Sequence, residues 1–211
     1  MMMIENQTLQ SFLSDLASAK PTPGGGSAAA VSGAMGAALI SMVANLTIGK
    51  KGYESVDNEM NEQLSQSENL RNIFISLIDE DINTFNQLMS AYKLPKDTDE
   101  QKLERSATIQ LRLKDATLAP LSIAKTALEG ILLAQRSAQF GNTTVISDAG
   151  VAVEMLLSAL KSAALNVFIN APSIKDHTFK EVALKEIDEL MIRGSSIAEQ
   201  VFENVKDKLK S

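Results

Sequence analysis

Cysteine is absent from the 211 residues and histidine occurs once, at His177. Disulfide frameworks, zinc-thiolate centres and thiol nucleophiles are thereby excluded, and one imidazole is too little for a histidine-based metal site. No metal and no organic cofactor is expected. Tryptophan is also missing, aromatic residues make up 4% of the chain, and the formal net charge is −6. Nucleic-acid binding needs a basic face to neutralise phosphates, so no nucleic-acid partner is expected. An anionic ligand would have to be met by a local cluster of lysines. The start, Met1-Met2-Met3-Ile4-Glu5, has no basic region followed by an apolar run; no secretory signal is read, and a cytoplasmic location is expected.

What the chain does have is apolar content. Hydrophobic residues make up 45%, enough at this length for one domain over residues 1–211 with a core that needs no staple. Residues 27–49 contain no charge, a length that would cross a bilayer as a helix. Alanine, glycine and serine dominate it, however, and it lacks an aromatic belt. It reads as a central helix surrounded by other helices rather than a membrane span.

Helical spacing recurs along the chain. Leu9, Phe12, Leu13 and Leu16 mark a short amphipathic helix over residues 6–19. The run Pro21-Thr22-Pro23-Gly24-Gly25-Gly26-Ser27 interrupts it, with Ser27 placed to cap a helix over 27–48. Gly33 and Gly36 inside that helix cost on the order of 1 kcal/mol each relative to alanine, which packing or ligand access must offset. Met60, Leu64, Ile73, Leu77, Ile78, Phe85, Leu88 and Met89 predict a long helix over 57–92. Thr98-Asp99-Glu100-Gln101 has the form of a capping box opening a second long helix, with Leu103, Leu113, Leu121, Leu128 and Ile131 inward and a kink expected at Pro120. A loop over 139–144 leads to a helix from Ser147 or Asp148 to Asn170, ended by Ala171-Pro172-Ser173. Thr178 to Glu181 offers another capping box before a last helix marked by Val182, Leu184, Ile187, Leu190, Met191, Ile197 and Val201. No strand alternation or repeat appears, so the predicted class is an all-α, single-domain helical bundle with long kinked helices.

Several positions suit chemistry, each with a structural reading beside it. The glycine-rich turn into a helix amino terminus leaves backbone donors for a negatively polarised group, or is only a tight connection; it lacks the lysine of a nucleotide-hydrolysing loop. Asn45 with Lys50 and Lys51 closes the same helix, where the cations complement the dipole or attract an anionic tail. Asp81, among Ile78, Ile82 and Phe85, is a solvated acid or a carboxylate at a cleft edge. Ser147 and Asp148 cap a helix or serve as base and counter-charge. Asn166 and Asn170 share one helix face amid apolar residues and need partners from protein, water or ligand. Asp148 and Asn166, on one straight helix, would lie about 27 Å apart. They cannot hold the same atom unless that helix breaks or a second subunit supplies one of them. His177 reads as exposed or capping.

Taken in order, Pro21-Thr22-Pro23-Gly24-Gly25-Gly26-Ser27-Ala28-Ala29-Ala30 and Met42-Val43-Ala44-Asn45-Leu46-Thr47-Ile48-Gly49-Lys50-Lys51 closely resemble the cyclodeaminase domain of formiminotransferase-cyclodeaminase and the stand-alone methenyltetrahydrofolate cyclohydrolases of that family. The likeness continues through Asp81 with Phe85, the Ala91-Tyr92-Lys93-Leu94-Pro95-Lys96 segment, Ser147-Asp148, and Asn166-Val167 with Asn170. It implies an all-helical, metal-free homodimer acting on a tetrahydrofolate derivative.

Two reactions fit the resemblance. A cyclohydrolase adds water to the methenyl bridge and opens it to formyltetrahydrofolate; a cyclodeaminase closes formiminotetrahydrofolate with loss of ammonia. On this reading Asp148 is the principal acid/base and Asp81 its partner. Pro23, Gly24, Gly25, Gly26, Ser27, Asn45, Asn142, Ser147, Asn166 and Asn170 position the substrate, and Lys50, Lys51 and Lys96 meet its glutamate carboxylates. The absence of a formiminotransferase domain from this sequence favours the cyclohydrolase. The rival of another class is a non-catalytic helical module for dimerisation or binding.

Overall fold

A long charge-free helix needs neighbours on most of its circumference, and the architecture supplies them. The computed structural model describes residues 7–210. Residues 1–6, where no secretory signal is read, lie outside the described residues. The helices run α1 Leu9–Leu16, α2 Gly25–Asn45, α3 Asp57–Tyr92, α4 Asp99–Phe140, α5 Ile146–Asn170 and α6 His177–Lys210. No strand occurs among the described residues.

α2 packs against α3 on one side and α5 on the other, with α4 beneath; α4 also meets α3, α5 and α6. Small residues make this closeness possible. A Cβ on Gly33 would overlap the Phe74 ring, and one on Gly36 would come 2.6 Å from Leu156. Packing, with Phe74 and Leu156 fully buried, therefore offsets the low helix propensity of both glycines. Ile40, Phe74, Ile123, Ile131, Leu156 and Leu160 are the centre of the main core. A smaller cluster of Leu88, Leu113 and Ile174 seals the end where α3 passes into α4.

Three helices, α2 among them, are long and apolar enough to cross a membrane. The enclosure expected of α2 is incomplete: Met35, Met42 and Leu46 remain 43–45% exposed, so one face of the helix is open.

The capping box at Thr98 and Gln101 forms as expected, with both reciprocal bonds present, and α4 continues through buried Pro120. Other local expectations need correction. α2 begins at Gly25 with Gly24 as its cap, two residues before Ser27. α5 begins at Ile146 with no side-chain cap, so neither Ser147 nor Asp148 has that role. At α6 the cap is Asp176, whose Oδ1 accepts the Phe179 N–H at 3.1 Å, not Thr178. α1 covers Leu9–Leu16, shorter than the expected 6–19, and Leu9 and Leu13 point outward. Leu103 and Val182, expected inward, are 73% and 60% exposed.

Candidate active site

The glycine turn, Asp81 and Asn166 meet at the amino-terminal end of α2. Three elements converge because α3 and α5 both run antiparallel to α2. The Thr22-Pro23 peptide bond is cis and leads into Gly24, which caps the helix without a side chain. Early backbone N–H groups of α2 are thus left to a ligand or neighbour. Ser27, fully buried, does not cap the helix; its hydroxyl donates to Asp81 Oδ2 on α3 at 2.9 Å.

Asp81 lies so close to the turn that a Cβ on Gly26 would overlap its carboxylate. Glycine at position 26 is therefore a requirement of the carboxylate's position. Burial pushes the Asp81 carboxyl above the usual carboxylate range, while the side-chain and backbone bonds from Ser27 pull the other way. The group is suited to hold a proton and to release it. Asn166 stands against Gly25, where a Cβ would be 3.6 Å from its Nδ2. That Nδ2 donates to the Ser162 carbonyl at 2.9 Å, which leaves Oδ1 facing the turn. Asn170, one turn further, has a structural use: its Nδ2 donates to the Ala116 carbonyl at 2.8 Å and ties α5 to α4.

Apart from Lys96, the other expected residues lie at the opposite end of α2. Asn45 is its last residue and is exposed, Lys50 and Lys51 follow, and Ser147 and Asp148 sit in the first turn of α5. Asn142 is buried there and consumed by the fold. It donates to the Leu46 carbonyl at 3.0 Å, and its Oδ1 accepts from both the N–H and hydroxyl of Thr144. Lys50 Nζ reaches Thr144 Oγ1 at 3.3 Å.

Across the 21 residues of α2 the two ends are roughly 30 Å apart. The expectation that Asp81 and Asp148 share one pocket therefore fails within a single subunit: α5 is unbroken from Ile146 to Asn170. The lysines separate as well. Lys96 lies beyond the far end of α3, whose 36 residues place it roughly 50 Å from Lys50 and Lys51.

Sequence reasoning missed the Ser27–Asp81 contact, which joins residues 54 positions apart. It also missed Tyr53, whose hydroxyl lies 3.2 Å from Thr143 Oγ1. That bond lowers the Tyr53 phenol's proton affinity, with a smaller contribution from Lys50 and Lys208. The run Lys206-Asp207-Lys208-Leu209-Lys210 was the available signal that α6 brings further cations to this end.

Comparison with known proteins decides the family. The sequence model described as formiminotransferase-cyclodeaminase matches residues 8–189. The chain belongs to the formiminotransferase-cyclodeaminase family. A methenyltetrahydrofolate cyclohydrolase of Methylorubrum extorquens is 49% identical over 207 residues, covering 98% of this chain and 100% of the relative. The formimidoyltransferase-cyclodeaminase of Rattus norvegicus is 33% identical over 92% of this chain, and the match covers 36% of that longer protein. A crystal structure of formiminotetrahydrofolate cyclodeaminase from Thermotoga maritima superposes with a TM-score of 0.89 at 30% identity, covering 98% of this chain and 99% of that one. The family's all-helical fold is thus shared over nearly the whole chain.

Proposed function

We propose that this chain is a methenyltetrahydrofolate cyclohydrolase. The observation that carries the proposal is Asp81: a partly buried carboxyl with raised proton affinity, held by the Ser27 hydroxyl and backbone against the amino terminus of α2. Identity of 49% over the full length of a cyclohydrolase supports this choice of reaction.

In the proposed reaction, a water oxygen bonds to the methenyl carbon, a centre made electrophilic by its two nitrogens. Asp81 takes one water proton as that bond forms and passes it to solvent. The neutral adduct then opens: the bond from carbon to one nitrogen breaks, the hydroxyl proton ends on the departing nitrogen, and a formyl group remains on the other. N–H groups of the α2 first turn and the Asn166 carboxamide orient the folate, and the dipole end of α2 stabilises negative charge developing on oxygen.

The reaction is placed in the cytoplasm, in a homodimer, with the tetrahydrofolate derivative as small-molecule partner and without a metal or organic cofactor. No nucleic-acid or membrane partner is assigned.

The second reading is formiminotetrahydrofolate cyclodeaminase, favoured by the likeness to the Thermotoga maritima structure. Both reactions pass through a carbon bearing three nitrogen or oxygen substituents, so one carboxyl could serve either. Purified protein mixed with methenyltetrahydrofolate should accelerate the loss of its absorbance. Ammonia release from formiminotetrahydrofolate without that acceleration would transfer the assignment to the cyclodeaminase, and neither activity would make the chain a non-catalytic module.

A further inference from the structure

α3 runs on past the point where α2 begins. Gly33 of α2 lies against Phe74 of α3, and Gly26 lies against Asp81, so each step forward along α3 is a step back along α2. Carried on from Asp81 to Phe85, the same register has reached Thr22, in the turn that precedes the helix start at Gly25. Residues four apart share a helix face, so Phe85 follows Asp81 on the side of α3 that faces this turn. Its ring stands beyond the end of α2, next to the first-turn N–H groups and the carboxyl.

Packing does not account for the ring. Phe74 and Phe168 belong to the main core. Phe179 packs on the smaller cluster with Lys114 Nζ 5.3 Å from its centroid, and Phe202 has Lys206 Nζ at 5.9 Å. Phe85 is half-buried, yet among the described residues it packs against neither cluster and meets no cation. An aromatic ring beside convergent polar groups is how small-molecule sites are lined.

A phenyl face next to a carboxyl suits a flat, delocalised cation. The ring quadrupole attracts positive charge, and ionised Asp81 supplies the opposite charge. In methenyltetrahydrofolate the bridging carbon and its two nitrogens share one positive charge in a planar group. The formyl product has lost that charge: its departing nitrogen is neutral, and its one-carbon unit is an uncharged amide. The ring therefore holds the closed form more tightly than the opened one.

We infer that Phe85 is a specificity-determining residue, its ring forming one wall of the site and selecting the planar, cationic bridge over neutral, ring-opened folates. The identity of the cation rests on the function proposed above; the placement of the ring does not. The ring also adds apolar surface beside Asp81, in keeping with the burial that raises the proton affinity of that carboxyl.

Substitutions that keep apolar bulk but remove the π face test the selection. Phe85→Leu should raise the KM for methenyltetrahydrofolate about tenfold without lowering kcat, because the interaction is made with the ground-state cation and fades as water adds. Inhibition by formyltetrahydrofolate should stay at its wild-type strength. Phe85→Met should behave as Phe85→Leu does, and Phe85→Tyr, which retains the face, should keep the wild-type KM. An unchanged KM in Phe85→Leu and Phe85→Met overturns the inference. So does a KM that rises together with the inhibition constant of the neutral product, since that is the pattern of a site merely loosened.

If wild-type protein fails to turn over methenyltetrahydrofolate, the proposed reaction is wrong, and equilibrium dialysis decides the role of Phe85 by itself. Weaker retention of methenyltetrahydrofolate by Phe85→Leu than by wild type, with formyltetrahydrofolate retained equally by both, upholds the inference. Equal retention of both compounds by both proteins overturns it.

Discussion

The two ends of α2 contain similar residue types but use them differently. At the amino-terminal end, Gly24 offers no capping side chain, Asp81 is partly buried with its proton affinity raised and accepts from the Ser27 hydroxyl and backbone, and glycine is required where the carboxylate approaches. At the carboxy-terminal end, the Asn142 carboxamide is fully engaged with Leu46 and Thr144, and Lys50 reaches Thr144. On the proposed function one end keeps polar groups for a ligand, whereas much of the other uses them to hold a corner of the fold. A list of polar side chains therefore overstates a site until their partners are known.

The contrast is sharpest at glycine. Gly26→Ala puts a methyl group into the Asp81 carboxylate, and displacement of the acid by about 1 Å should lower kcat/KM roughly 100-fold. Steady-state rates with methenyltetrahydrofolate read this, with circular dichroism as the check on folding. Retained activity would show that the close approach has no chemical consequence.

Ser27→Ala removes a donor to a carboxylate, and kcat/KM should fall about tenfold. Ser27 lowers the Asp81 proton affinity, so its loss raises that affinity further. The acid limb of the pH–rate profile should move to higher pH. A limb that stays in place would separate Asp81 from the titration.

At the other end the effects should be on stability. Asn142→Ala deprives the Leu46 carbonyl and the Thr144 N–H of their partner, at about 2 kcal/mol, which thermal unfolding should show as a Tm lower by roughly 4–8 °C. Gly52 has φ +90 with open space around its missing Cβ. Gly52→Ala should cost about 1 kcal/mol through backbone strain alone, a Tm decrease of roughly 2–4 °C. A larger effect from Gly52→Ala than from Asn142→Ala would reverse the ranking of causes at this end.

Much of the fold was legible because long helices declare themselves by period. α3 spans the predicted residues, and the Thr98–Gln101 box opens α4 where its chemistry required. The failures share a cause: Ser27 and Thr178 looked like caps from their neighbours in sequence. Ser27 instead found Asp81, 54 residues away, and Asp176 supplied the cap assigned to Thr178. A cap is a local choice that a tertiary partner or a nearby competitor can override. Of the candidate site residues, the sequence named the glycine turn, Asp81 and Asn166, which meet at one end of α2, and Asp148, which the unbroken length of α5 keeps at the other.

The central claim is that the partly buried Asp81 carboxyl moves protons at the glycine turn, and Asp81→Asn tests it through rate and stability together. A raised folded-state affinity means that Asp81 contributes its full stability below the ordinary carboxylate range and loses it as pH rises through the raised value. The uncharged amide should therefore raise Tm at neutral pH, with the gain shrinking on acidification, while turnover of methenyltetrahydrofolate falls by about 100-fold or more. Wild-type turnover in a folded Asp81→Asn protein would contradict the account.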